Sequence, residues 1–240
     1  HAWSALQVFL IEKKMTGNAD IYFLKRIFQK QLVNFTWWTN REDANENNIF
    51  TGGFLGLDNI GVIDRNSLPA GYFLEQVDAT AWMGMYALNM MDIAMVLAEV
   101  DDSFEDMVTK FYEQFVLIAE SLNETLWDED DNFFYDRLHT ADGKSIELKV
   151  RSVVGLSVML DENEFLAGAG IRALSKFHLQ HPFVLEMDGN LHSISYQPAE
   201  SDNNMFGGNS NWRGPVWMPL NYLLIQSLYQ FHTFYGDSLK

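Results

Sequence analysis

Two separated segments of the sequence carry residues that could do chemistry. In the first, Asp58 follows a glycine-rich stretch at 52–56, Gly-Gly-Phe-Leu-Gly. Glycine lets the backbone approach a ligand closely, and the apolar neighbours would desolvate the carboxyl and favour its protonated form. A protonated carboxyl is what a general acid requires. The alternative is a turn aspartate that hydrogen-bonds its own backbone.

The second segment, Trp212-Arg213-Gly214-Pro215-Val216-Trp217, places two indoles and a guanidinium beside a Gly-Pro turn. Proline interrupts a helix, so both tryptophans cannot lie on one helix face. Broad aromatic faces and a planar cation suit the apolar face and hydroxyl rim of a sugar ring. Trp212, Arg213 and Trp217 are therefore candidate sugar-binding residues. Alternatively, the indoles plug the core and Arg213 satisfies loop carbonyls.

Three more polar residues lie near these segments in the sequence. Asn59 follows Asp58, and Arg65 lies in the same long segment, 40–76, which has little helical period. Long irregular segments often carry function. Asp78 precedes an apolar helical block and is either a substrate contact or the N-terminal cap of that helix.

Metal and cofactor motifs are weak or missing in the sequence. Asp128, Asp130 and Asn132 alternate as calcium-loop ligands do, but Phe133 stands where that loop needs glycine. No P-loop, dinucleotide fingerprint, two-histidine helix motif or Gly-x-Ser-x-Gly elbow is found. The sequence predicts neither a metal nor a cofactor.

Composition narrows the choice of partners. The chain has 240 residues, 48% of them hydrophobic, which favours a single domain over 1–240. A net charge of −17 argues against nucleic acid and anionic membranes as partners. The absence of cysteine fits a reducing compartment, and we expect a cytoplasmic protein. The oligomeric state is left open.

Apolar residues recur with a helical period in most of the chain. Helical blocks are predicted at the N-terminus, at 19–38, at 81–100, from 104 to 122 and after Pro219, with a left-handed cap at Gly236. The block at 81–100 is apolar almost all round and the next is amphipathic, with a capping box of Ser103 and Asp106. A buried helix followed by an amphipathic helix is expected where the inner and outer layers of a toroid pair.

Two β-hairpins are predicted, from 133 to 148 and from 183 to 194. The fold class is therefore all-α with minor β-hairpins.

Four separated motifs resemble glycoside hydrolase family 63. They lie at 52–65, 76–83, 150–156 and 207–217, in the order found in that family. The resemblance implies an (α/α)6 toroid, partial or complete, that hydrolyses an α-glucoside or α-mannoside with inversion and needs no cofactor. It also implies that Asp58 is the general acid and that Trp212 and Trp217 line the sugar subsite. The substrate would be an oligosaccharide or small glycoside.

The sequence departs from the family pattern at three places. Members carry the general base, a glutamate, in a segment that would follow Lys240. They carry a Trp-Asp helix that would precede His1, and a longer stretch between Leu156 and Asp161. We therefore expect an internal piece of the family domain. Glu200 is the nearest substitute for the base, although a solvated loop charge is the simpler interpretation. A non-catalytic carbohydrate-binding toroid or scaffold is the alternative function.

Overall fold

The structure is a computed structural model that describes residues 1–41, 43, 45–52, 61–153, 158–198 and 214–236. Its α-helices are α1 (Ala2–Thr16), α2 (Ile21–Arg41), α3 (Val77–Ala98), α4 (Glu105–Leu126) and α5 (Met218–Tyr235). Short 3-10 helices occupy Asp102–Phe104 and Lys176–Leu179. All the predicted helical blocks are confirmed, with boundaries that move by a few residues.

The strands are short. They are β1 (Phe73–Glu75), β2 (Trp127–Asp128), β3 (Phe133–Phe134), β4 (Asp136–His139), β5 (Ser145–Leu148), β6 (Leu166–Ala167), β7 (Gly170–Ile171), β8 (Phe183–Met187) and β9 (Asn190–Ile194). The sheet order is β1-β4-β5, and β2-β3, β6-β7 and β8-β9 are two-stranded. The coarse class, helices with small hairpins, is thus confirmed, and closure into a toroid stays a prediction.

The two predicted hairpins have different outcomes. Strands β8 and β9 pair antiparallel around Asp188 and Gly189, whose φ values of 52° and 76° suit a tight hairpin turn. The first hairpin is confirmed for β4 and β5 but not for Phe133–Phe134, which pairs with β2 instead. Asn132, with φ 51°, lies in the turn that joins β2 to β3.

Two helix ends differ from the predicted caps. Asp101 caps the 3-10 helix Asp102–Phe104, where its carboxylate accepts a hydrogen bond from the Ser103 N–H. Helix α4 itself has Phe104 at its N-cap and no side-chain capping bond, so the predicted capping box of Ser103 and Asp106 is wrong. Gly236 ends α5 with φ 58° and ψ −139°, which lies outside the left-handed helical region. The positive φ still explains why glycine occupies this position.

The chain folds into two compact units. Unit 1 comprises His1–Gly56, Pro69–Trp127 and Asp136–Ile146, and unit 2 comprises Leu57–Leu68, Asp128–Tyr135 and Glu147–Lys240. The expectation of a single domain stays a prediction.

The core of unit 1 is built from α1, α2, α3 and α4. Helix α3 contributes the most buried side chains because it is apolar on nearly every face. It also has the length and composition of a membrane-spanning helix, a property that core helices of globular proteins share. Phe28 and Phe35 of α2 both meet the Phe111 ring of α4 edge to face, at 6.0 and 5.2 Å between centroids.

Unit 2 combines short strands, loops and α5. Buried residues of these strands and loops include Phe133, Phe165, Ile171, Leu174 and Ile194. The Phe133 and Phe165 rings stack with 6.2 Å between centroids. Much of α5 is exposed, including Tyr222, Ile225, Leu228, Tyr229, Phe231 and Phe234.

Candidate functional site

The structure describes part of the predicted site. Asp58, Asn59, Trp212, Arg213 and the substitute base Glu200 lie outside the described residues. Arg65 and Trp217 belong to unit 2, and Asp78 belongs to unit 1.

The end of the tryptophan motif is fixed by backbone pairing within unit 2. The Pro215 carbonyl accepts a hydrogen bond from the Ala173 N–H at 3.0 Å, and Val216 forms a β-bridge with Arg172. Trp217 is half-buried and occupies the N-cap position of α5, with extended backbone angles. The second tryptophan of the motif thus lies where a strand-like segment turns into a helix.

Gly214 permits a close backbone approach in the same motif. A Cβ atom at this position would lie 2.5 Å from the Gln197 carbonyl oxygen and 2.9 Å from the Tyr196 ring. Any side chain would therefore push the motif away from the segment at 196–197. This packing explains why glycine occupies the third position of Trp-Arg-Gly-Pro, which the sequence alone does not show.

Asn221 anchors the first turn of α5. Its Oδ1 accepts from the Ile171 N–H at 2.7 Å, while Nδ2 lies 2.9 Å from the carbonyls of Ile171 and Trp217. This side chain is 6% exposed. Because the amide contacts both β7 and Trp217, it sets the position of the motif relative to the β6–β7 hairpin.

Asp78 is buried in the first turn of α3, with 3% exposure. Its Oδ1 accepts from the Ala79 N–H at 2.8 Å. The N-cap position belongs to Gln76, and Asp136 supplies a side-chain acceptor to the Val77 N–H at 2.8 Å. The interpretation of Asp78 as the helix cap is therefore wrong. It is a first-turn carboxylate, where the helix dipole favours negative charge.

Polar side chains cluster around the start of α3 in unit 1. The Glu75 carboxylate binds the His139 ring at 2.9 Å and the Asn47 amide at 3.1 Å. The Thr80 hydroxyl accepts from the Phe50 N–H at 2.9 Å and donates to the Gln76 carbonyl at 2.6 Å. These bonds hold the segment at 49–50, which leads into the glycine-rich stretch.

Arg65 lies in a turn of unit 2. The Asp64 side chain accepts from the Asn66 N–H at 2.9 Å, and the Asp64 carbonyl accepts from the Ser67 N–H at 3.1 Å. Asp64 therefore forms the turn, and the half-buried Arg65 is the second residue of that turn.

A charged network in unit 2 was not among the predicted sites. Arg151 pairs with Glu164, and its guanidinium lies over the Phe177 ring, 4.4 Å from the centroid. The Arg151 N–H donates to Nε2 of His178 at 2.9 Å, and Nδ1 of His178 binds the His181 carbonyl at 2.9 Å. Burial lowers the pKa of His178, which fits a neutral ring with Nδ1 protonated. Arg151 belongs to the motif at 150–156, the one sequence signal that pointed here.

Asp128, one of the alternating residues after α4, binds a lysine together with Asp131. Lys149 Nζ lies 2.8 Å from an Asp128 oxygen and 3.0 Å from an Asp131 oxygen. The hydrogen bond from Lys149 lowers the pKa of Asp128. Within the part of the chain that the structure describes, no group of three or more Asp, Glu or His side chains is placed to hold a metal ion.

Comparison with known proteins decides the family. The model of the mannosylglycerate hydrolase MGH1-like glycoside hydrolase domain matches residues 64–236. The chain belongs to this family. The MGH1-like match contains Arg65, Asp78, Trp212, Arg213 and Trp217, and the family resemblance read from the sequence is confirmed. Asp58 and Asn59 precede the matched residues.

Two yeast proteins are similar to this MGH1-like chain. It is 37% identical to the uncharacterized protein YMR196W of Saccharomyces cerevisiae over 323 positions, which cover 100% of the chain and 30% of that protein. It is 28% identical to mannosyl-oligosaccharide glucosidase of Saccharomyces cerevisiae over 162 positions, which cover 65% of the chain and 18% of that protein. The chain thus spans less than a third of the length of these relatives.

The alignment with YMR196W is longer than the chain itself. It runs over 323 positions although the MGH1-like chain has 240 residues. YMR196W therefore carries sequence that has no counterpart here. This agrees with the expectation of a shortened chain but does not locate the missing stretch.

Proposed function

We propose that the chain supplies the acid-bearing part of an inverting glycoside hydrolase that acts on an α-glucoside or α-mannoside. The observation that carries this proposal is membership of the MGH1-like glycoside hydrolase family. The packing of Gly214 and the Asn221 anchor support it, because they hold the described part of the tryptophan motif, residues 214–217, in place. The proposed fold of the whole enzyme is an (α/α)6 toroid.

The proposed reaction requires two carboxyl groups. Inversion places them roughly 6.5–9.5 Å apart, so that water fits between the base and the sugar. Asp58 gives its proton to the glycosidic oxygen as the bond from that oxygen to the anomeric carbon breaks. A second carboxylate removes a proton from water while the water oxygen bonds to the opposite face of that carbon. We do not assign this base to Glu200.

The remaining candidate residues hold the substrate in this proposal. Trp212 and Trp217 stack on sugar faces, while Arg213 and Arg65 donate to hydroxyls. Asn59 binds beside the acid. Asp78 accepts from a sugar hydroxyl, and its first-turn hydrogen bond to the Ala79 N–H keeps that carboxylate oriented.

Replacement of Asp58 tests the proposal. The purified chain and a longer form of the protein would be incubated with maltose, mannosylglycerate and aryl α-glucosides. NMR would follow both the rate and the anomer first released. We expect Asp58→Asn to lose at least a hundredfold in rate, because it cannot donate a proton.

Asp64→Asn, which changes a nearby turn carboxylate, is the matched control. Full activity in Asp58→Asn would refute the assignment, and release of the retained anomer would refute inversion.

A non-catalytic carbohydrate-binding module or scaffold is the second candidate. It is favoured by one observation: the family match begins at residue 64, beyond Asp58. A binding module would bind maltose without turnover and lose that binding in Trp212→Ala. A scaffold would lose stability in Trp212→Ala and show no sugar binding in either form.

A further inference from the structure

A cavity of about 330 Å³ opens in unit 1 where α1, α2 and α3 meet. Its size falls in the range of small-molecule sites. Its lining includes His1 and six residues with aromatic or amide side chains: Trp3, Asn34, Trp38, Trp82, Tyr86 and Asn89. None of them is among the candidate residues discussed above.

Aromatic rings from three helices form the walls. Trp3 comes from α1, Trp38 from α2, and Trp82 and Tyr86 from α3. All four are half-buried, so part of each ring remains accessible. Indole and phenol rings in this state offer flat apolar faces with polar edges, the surface on which pyranose rings stack.

Residues of α2 hold the Tyr86 ring in place. Its hydroxyl lies 3.0 Å from the Gln31 carbonyl and 3.1 Å from Oδ1 of Asn34. The Phe35 ring meets it edge to face at 5.2 Å between centroids. Ordering this wall therefore costs a ligand little conformational entropy.

Two amides supply directional hydrogen bonds. Asn89 is 9% exposed, and its Nδ2 donates to the Met85 carbonyl at 2.7 Å. No group among the described residues donates to its Oδ1, so this oxygen is an acceptor open to a ligand. The Oδ1 of Asn34 faces the Tyr86 hydroxyl, which leaves its NH2 group as a donor. An acceptor and a donor together match neighbouring sugar hydroxyls.

The cavity favours an uncharged ligand. Apart from His1, the described residues that line it have uncharged side chains, and none of them is a carboxylate, lysine or arginine. A charged ligand would therefore lose its hydration without gaining a carboxylate, lysine or arginine partner among these residues. We infer that this cavity of unit 1 is a binding site for a neutral pyranoside, with the ring stacked on Trp38 or Trp82 and a hydroxyl donating to Asn89.

The wall also touches the start of the glycine-rich stretch. A Cβ atom at Gly52 would lie 2.9 Å from Cζ3 of Trp38. Gly52 therefore packs directly against the indole, and the position of this wall depends on that glycine. The inference rests on the proposed function only for the choice of α-glucosides and α-mannosides as probes.

Titration of the full chain tests the inference. Isothermal calorimetry would measure the binding of maltose and methyl α-mannoside to the wild type, Trp38→Ala and Trp82→Ala. Tyr22→Ala is the matched control, because Tyr22 lies on the same helix as Trp38, is 69% exposed and does not line the cavity. We expect the cavity variants to weaken binding by at least about tenfold and the control by less than about twofold.

A second pair of variants distinguishes a loss of sugar contacts from a loss of folding. Trp82→Phe keeps an aromatic face and should bind within about threefold of the wild type, and Asn89→Ala removes the acceptor and should bind at least about fivefold more weakly. Circular dichroism would show that each variant is folded. Unchanged affinity in Trp82→Ala and Asn89→Ala would overturn the inference, as would a wild-type Kd above about 10 mM for both sugars.

The outcomes for this site and for catalysis are separable. Asp58→Asn should abolish turnover and leave the affinity of the cavity unchanged. If Asp58→Asn kept its activity while Trp82→Ala lost binding, the proposed acid would be wrong and the cavity site would stand. If Trp217→Ala alone lost binding, the sugar site would lie at the tryptophan motif and the cavity inference would fail.

Discussion

The Asn221 side chain hydrogen-bonds both backbone polar groups of Ile171, with its Oδ1 accepting at 2.7 Å and its Nδ2 donating at 2.9 Å. An amide that pairs with a peptide group in this way replaces a strand partner at the β7 edge. It also fixes the helix that begins directly after Trp217.

Asn221→Leu should lower the free energy of unfolding by about 2–4 kcal/mol, because it leaves the buried Ile171 groups without their partner. Urea unfolding followed by tryptophan fluorescence would measure this loss. Gln230→Leu makes the same polar-to-apolar type of change at an exposed position of α5 and should cost less than about 0.5 kcal/mol. Equal effects of the two variants would contradict the anchoring role.

Gly214→Ala should destabilise the protein by about 1–3 kcal/mol, because the new methyl group would lie 2.5 Å from the Gln197 carbonyl oxygen. It should also weaken sugar binding at the tryptophan motif. Thermal unfolding and calorimetric titration would check the two effects. Gly168→Ala is the control, since a methyl group added there would meet no atom of the described residues within 4 Å. A Gly214→Ala protein as stable as Gly168→Ala would show that the segment at 196–197 can move.

Asp136→Ala should cost about 1 kcal/mol, the usual value of a lost helix cap. The Val77 N–H would lose its acceptor at 2.8 Å. Urea unfolding and amide hydrogen exchange at the start of α3 would measure the change. Glu113→Ala, at an exposed position of α4, is the control for loss of a carboxylate. Fast exchange confined to the β4 strand, with α3 unaffected, would argue against the capping bond.

Acid should destabilise unit 2 through His178. Burial lowers the pKa of this ring in the folded protein below its ordinary value of 6.5. Between those two values the unfolded chain binds more protons, so stability is full above about pH 6.5 and falls as the pH drops toward the folded pKa.

His178→Gln should flatten the dependence of unfolding free energy on pH between about 7.5 and 5.5, because a glutamine side chain does not titrate there. His232→Gln, which changes an exposed histidine of α5, should keep the wild-type slope. Urea titrations at several pH values would compare the slopes. A wild-type slope in His178→Gln would mean that another group governs acid stability.

The helices were predictable because each buries an apolar face whose spacing is visible in the sequence. The hairpin of β8 and β9 was predictable from Asp188 and Gly189, which favour the positive φ values that its turn requires. Phe133 was placed in the wrong hairpin because β-propensity does not specify a partner strand. The register of so short a strand is decided by the turn at Asn132.

A sequence motif can indicate candidate site residues where the chemistry is local to one segment. Substrate binding by Trp217, Arg65 and Asp78 stays a prediction, and the alternative role of Asp78 as the cap of α3 is wrong. The true acceptor, Asp136, lies 59 positions from Val77, and no local pattern links them. The aromatic cavity was missed for the same reason, since its rings come from three helices and each fits an ordinary apolar stripe.

The distance in sequence between α3 and its acceptor has a consequence during translation. At roughly 5–20 residues per second, Asp136 leaves the ribosome about 3–12 s after Val77. For that interval α3, which has a mean hydropathy of 1.3, has emerged without the carboxylate that accepts from its first N–H. The start of this helix therefore frays more readily in the nascent polypeptide than in the finished protein.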